Sequence, residues 1–152
     1  MRTMTALQRQ RRTSTRATKV FPTKSRGAFP EGKRIGERLG EGPTAGPPAG
    51  YDHCFVVKGE SGALRNVAVL TDPLSKRTMR MRATYPGVQV YTSNFLVEGS
   101  KGKGGANYGQ YSAVCLEAEY FPDSVNNSHF PSCVIGQGKL FNEEVELTFS
   151  KA

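Results

Sequence analysis

The sequence predicts an all-β fold: antiparallel strands arranged as a β-sandwich or barrel. Three observations carry that reading. Beyond residue 51, short segments alternate apolar and polar residues with period two, or are short apolar runs. Pro- and Gly-containing turn signals separate them. No stretch of ten residues keeps a convincing helical period, so helices longer than two turns are not expected in this region.

In chain order, "MRTMTALQRQRRTSTRATK" is rich in Arg, Thr and Ser, contains no acid, and lacks the apolar residues needed to bury a core. Residues 1–30 are therefore expected to form a basic disordered segment, read as a solvated tail with organelle import as the alternative. Residues 31–50 form a Gly/Pro-rich linker, with "GEGPTAGPPAG" as its loop. Residues 51–152 form the β domain. Its expected strands are "CFVVK", "LRNVAVL", "TMRMRAT", "VQVYTSN", "SAVCLEAEYF" and "EVELTF", with turns at Asp72-Pro73, Tyr85-Pro86-Gly87 and Phe121-Pro122-Asp123. "GSKGKGGANYG", residues 99–109, lacks both the Gly-Lys-Ser/Thr and the G-x-G-x-x-G patterns of phosphate loops, and is expected to be a long flexible loop between strands.

Charge is distributed unevenly. Residues 1–50 carry eleven Lys/Arg against three Glu, whereas residues 51–152 carry ten of each sign. The whole surplus of +8 lies in the head, where Phe21 and Phe29 are the only aromatic residues and none falls among the arginines of residues 1–19; the charge split argues against a nucleic-acid partner for the β domain. No apolar run approaches the ~20 residues of a membrane helix, and no secretory signal is read, so a membrane partner is not expected. Cys54, Cys115 and Cys133 are odd in number and lack C-x-x-C spacing; neither a zinc site nor a disulfide framework is expected, and a reducing cytoplasmic setting fits.

Asp52, Gln89 and Glu117 are polar residues within or beside predicted strands. Because side chains at i and i+2 share a face, Gln89 points away from Val88 and Val90, and Cys115, Glu117 and Glu119 share the face opposite Val114, Leu116 and Ala118. Singly, each polar residue fits a half-exposed sheet. Together they suggest a concave polar face of the kind that binds the hydroxyls of a sugar.

"GYDHCFV", "YPGVQVYTSNFL", "KGKGG" and "CLEAEYFPDSVNNSHFPS" resemble, in order and at compatible spacings, the C-terminal part of the aldose 1-epimerase (galactose mutarotase) family. The resemblance covers about residues 50–149, with "KRIGERL" as a weaker match upstream. It implies a galactose mutarotase-like β-supersandwich whose N-terminal side is missing. It also implies interconversion of the α and β anomers of a hexose such as glucose or galactose, with Glu117 as general base, Asp52 and Gln89 as sugar-binding residues, an aldohexose as partner, and no cofactor or metal.

The same resemblance implies a histidine acid upstream of the matched region. The chain has only His53 and His129. His53 follows Asp52 directly and so should point to the opposite face; His129 lies in the loop after "FPDS". Impaired catalysis is the expectation, with an inactive carbohydrate-binding or interaction module as the alternative. Glu119 stands where the family usually carries an uncharged residue. Two residues from Glu117 on the same face, it should raise at least one carboxyl pKa unless solvent screens the pair.

Overall fold

The computed structural model describes residues 16–17, 33–41 and 47–151. The strands of the β domain form where alternation was read. They are β3 (Asp52–Val56), β4 (Arg65–Thr71), β5 (Arg77–Ala83), β6 (Gly87–Tyr91), β9 (Cys115–Glu119) and β10 (Val145–Lys151). Two short strands precede them, β1 (Arg16–Ala17) and β2 (Lys33–Arg34), and a hairpin, β7 (Ser100–Lys101) with β8 (Asn107–Tyr108), stands between β6 and β9. The described helical segments are single 3-10 turns at Ile35–Arg38, Lys103–Gly105 and Ser124–Asn126.

Every strand pair among the described residues is antiparallel. One sheet has the order β10-β5-β4-β1-β2 and a second the order β3-β6-β9. Their inward residues meet in one core. Ala68, Leu70, Met79, Met81 and Ala83 come from the larger sheet, and Phe55, Val88, Val90 and Ala118 from the smaller. This is the all-β, sandwich-like architecture that the alternation predicts.

The pattern "TMRMRAT" shows how sequence becomes layer. Met79, Met81 and Ala83 point inward, while Arg80 and Arg82 point out. Arg82 lies opposite Glu146 of β10 and pairs with it at 3.2 Å. In β4 the register shifts between Asn66 and Ala68, and the bulge lets Val67 and Ala68, adjacent in sequence, both be buried. The β4–β5 turn is fixed by Asp72, whose carboxylate accepts the backbone N–H groups of Leu74 (3.1 Å) and Ser75 (3.3 Å).

One expectation falls mostly outside the described residues, and another needs correction. Most of residues 1–30 lie outside the described residues, but within this nominally disordered head Arg16–Ala17 is a strand, pairing with Thr71 and Leu70 of β4 and with Arg34 and Lys33 of β2. Backbone pairing places no demand on side-chain hydrophobicity, so composition did not register it. Residues 99–109 are not a structureless loop either. Ser100 pairs with Tyr108 and Lys101 with Asn107, around a turn whose Gly104 has φ 65°. Gly102 lets the Tyr108 ring lie against the backbone, since a Cβ there would sit 2.0 Å from Tyr108 Cε2. Its glycine serves close approach rather than flexibility.

Candidate functional site: a carboxylate-lined cleft on the small sheet

The three-stranded sheet sets the site by register. Gln89, on the central strand β6, lies opposite Cys54 of β3 and Glu117 of β9. Asp52 and Cys115 both lie opposite Tyr91, and Glu119 lies opposite Gly87. Directly paired residues share a face, and so do residues two apart. Asp52, Cys54, Gln89, Tyr91, Cys115, Glu117 and Glu119 therefore all stand on one side of the sheet, with Phe55, Val88, Val90 and Ala118 buried on the other.

That polar face opens into a solvent-accessible cleft of about 370 Å³, within the range of ~300–1,000 Å³ usual for small-ligand sites. Asp52, Gln89, Glu117 and Glu119 line it, joined by Tyr91, Phe95 and Pro122. The structure thus brings the three sequence-selected residues to one cleft.

Within it, Gln89 Nε2 donates to Asp52 Oδ1 at 2.7 Å. The bond orients the amide and leaves Gln89 Oε1 buried without a partner. Tyr91 and Phe95 are stacked, with ring centroids 6.4 Å apart and planes at 13°, and the Tyr91 hydroxyl accepts the Phe95 N–H at 3.3 Å. Such a wall offers an apolar surface beside the carboxylates. Tyr91 was legible in sequence as the i+2 neighbour of Gln89; Phe95 and Pro122 follow their strands and arrive only through tertiary folding.

The two glutamates of β9 differ in environment. Glu117 is exposed, whereas Glu119 is half-buried and holds one oxygen, Oε1, buried and unpartnered. Burial, with the Glu117 charge nearby, raises the Glu119 pKa, against a lowering contribution from the Cys54 thiol that hydrogen-bonds it. Burial first, then Glu119 itself, pushes the Cys54 thiol up to about 12. Gly87 makes this close arrangement possible: a Cβ there would lie 2.9 Å from Cys54 Sγ and 3.0 Å from Phe121 Cδ1.

Neither histidine lines the cleft. His53 pairs with Val90 on the opposite face and sits edge-on to Tyr51 at 6.3 Å between centroids. His129 is exposed and lies against Phe130 at 4.4 Å.

The antiparallel sandwich fold is shared with a solved structure. The crystal structure of a GalM/aldose epimerase homologue from C. elegans matches with a TM-score of 0.66 over 91% of this chain and 44% of that one, at 22% identity. The family model described as aldose 1-epimerase matches residues 5–148, reaching upstream of the motif-bearing region. The chain belongs to the aldose 1-epimerase family. It is 41% identical to galactose mutarotase of Bos taurus over 103 residues, which are 68% of this chain and 30% of the relative. It is 28% identical to aldose 1-epimerase of Escherichia coli (strain K12) over 102 residues, 66% of this chain and 29% of the relative. The matched region thus spans about 30% of the length of these curated relatives.

Proposed function

We propose that the cleft binds an aldohexose such as glucose or galactose and that the chain promotes interconversion of its anomers. One observation carries the reading: Asp52, Gln89 and Glu117, from three adjacent strands, line one cleft in a chain of this family. Asp52 and Gln89 hydrogen-bond sugar hydroxyls, and the Tyr91–Phe95 wall packs against the apolar side of the ring. Glu117, exposed at the cleft, is the general base that removes the anomeric hydroxyl proton; such proton transfer is worth ~10²–10⁴-fold. The open cleft binds sugar weakly, and with no histidine lining it, turnover is slower than in an enzyme with a positioned imidazole. Three free thiols suit a reducing, cytoplasmic setting.

Polarimetry on freshly dissolved α-anomer tests the proposal. The chain should exceed the buffer rate, and Glu117→Gln should lose the excess while still binding sugar. A second reading, a sugar-binding module without activity, rests on the position of both histidines away from the cleft. It is favoured if both proteins run at the buffer rate yet bind hexose, with Asp52→Ala abolishing binding. If neither binds hexose nor accelerates the reaction, both readings are wrong.

A further inference from the structure

We propose that Glu119 is a second catalytic carboxyl of the cleft, delivering a proton to the ring oxygen of the sugar while Glu117 withdraws the anomeric proton. The inference rests on the sugar reading of the cleft and adds a residue to it.

Position is the first support. Glu117 and Glu119 are two apart on β9 and both line the cleft. A strand advances ~3.3–3.4 Å per residue, which separates their backbone positions by about 7 Å. Carboxyl pairs about 5–9.5 Å apart perform acid–base work at a single anomeric carbon in glycoside hydrolysis. Anomerisation needs the same reach, because the anomeric hydroxyl oxygen and the ring oxygen are bonded to the same carbon.

Asymmetry is the second. A pair of carboxyls does acid and base work when its members sit in environments that favour opposite protonation states. Glu117 is exposed, whereas Glu119 is half-buried beside Cys54, with an oxygen that finds no partner. An ionised carboxylate with a buried, unsatisfied oxygen is disfavoured. Burial and the neighbouring Glu117 charge accordingly hold the Glu119 carboxyl above its ordinary range.

The other groups facing Glu119 leave the role to it. Strand β3 presents Asp52 and Cys54; β6 presents uncharged Gly87 and Gln89, with Tyr91 further along; β9 itself adds Cys115 and Glu117. Beyond the strand, Pro122 lines the cleft and Phe121 packs against Gly87. Among the described residues, no Lys, Arg or His lines the cleft. Asp52 accepts from Gln89, and the Cys54 thiol, pushed up to about 12, hydrogen-bonds Glu119.

The step balances. The Glu117 carboxylate takes the hydroxyl proton as the C1–O carbonyl forms. The bond from C1 to the ring oxygen breaks with its electron pair going to oxygen, which takes the Glu119 proton. The open-chain aldehyde rotates, and closure on its other face returns both protons. One proton and one negative charge stay on the pair throughout, so two adjacent carboxylates never face each other.

The test measures mutarotation against pH for the wild type, Glu117→Gln, Glu119→Gln and Tyr91→Phe, with carbon NMR of the labelled glutamate carboxyls. Glu119→Gln should lower kcat ~10²–10⁴-fold, leave KM within about twofold, and remove the basic limb of the kcat profile. That limb should lie above the ordinary carboxylate range, since Glu119 works only while protonated. In its resonance, Glu119 should titrate above the ordinary glutamate value. Full activity in Glu119→Gln with Glu117→Gln inactive overturns the Glu119 role and leaves the function reading intact. Loss of the basic limb in Tyr91→Phe but not in Glu119→Gln assigns the proton to the phenol and overturns it as well. A wild type without activity or sugar binding overturns the function reading, and this proposal falls with it.

Discussion

Gly87→Ala is a sensitive probe of how the cleft floor is built. Gly87 is the first residue of the central strand of the small sheet, and its φ is not positive, so alanine meets no backbone penalty there. The objection is spatial. The new Cβ would lie 2.9 Å from Cys54 Sγ, 3.0 Å from Phe121 Cδ1 and 3.1 Å from Phe121 Cε1. Phe121 cannot retreat freely, being packed edge-on to Phe130 at 5.2 Å between centroids. Overpacking of this kind costs about 1–3 kcal/mol, against a backbone gain of about 0.5–1 kcal/mol for replacing a strand glycine. A net loss of up to about 2.5 kcal/mol follows, with about 1 kcal/mol near the middle of the range, lowering Tm by ~2–4 °C per kcal/mol for a chain of this size. Urea denaturation should show a lower midpoint at unchanged slope. Removing Cys54 Sγ should relieve part of the clash, so Gly87→Ala combined with Cys54→Ala should be coupled by at least about 0.5 kcal/mol. A Gly87→Ala protein as stable as the parent, or effects of the two substitutions that simply add, would refute the packing account.

Glu143 should act as a tie between the sheets' ends, since Tyr120 Oη donates to its Oε1 at 2.6 Å and Thr84 Oγ1 donates to its Oε2. Glu143→Ala should cost about 1.5–3 kcal/mol in denaturant unfolding; an unchanged midpoint would show that the tie is unimportant. The hydrogen bond to Glu143, then burial, raises the Tyr120 pKa to about 12. The stability it adds is therefore complete below the unfolded tyrosine value of ~10 and disappears as pH rises from there to about 12. An ultraviolet titration should find the Tyr120 phenol titrating late in the parent and earlier in Glu143→Ala. In the β7–β8 hairpin, Gly102→Val would drive Cβ into the Tyr108 ring. Trypsin should then cut at Lys101 or Lys103 faster than in the parent, and equal cleavage rates would contradict the packing.

Local chemistry made the strands and their faces legible. "TMRMRAT" and "CLEAEY" fix which side chains oppose which, because a strand reverses side-chain direction at every residue whatever lies beside it. On that ground alone Gln89 faces away from Val88 and Val90, Glu117 and Glu119 share a side, and His53 is directed away from Asp52. The position of one strand against another is not local. That Gln89 lies between Cys54 and Glu117, bringing Asp52 to within a hydrogen bond of its amide, depends on the order β3-β6-β9 and its register. Phe95 joins the cleft from beyond the end of β6, and Glu119 differs from Glu117 in its burial and in its hydrogen bond with Cys54, a residue of another strand. The glycines of residues 99–109 read as flexibility because sequence carries no sign of the Tyr108 ring against Gly102. Arg16–Ala17 read as tail because main-chain pairing to β4 leaves no mark on composition. Periodicity records each residue's direction; burial, register and contact are set by chain segments distant in sequence, and only the folded sheets bring those together.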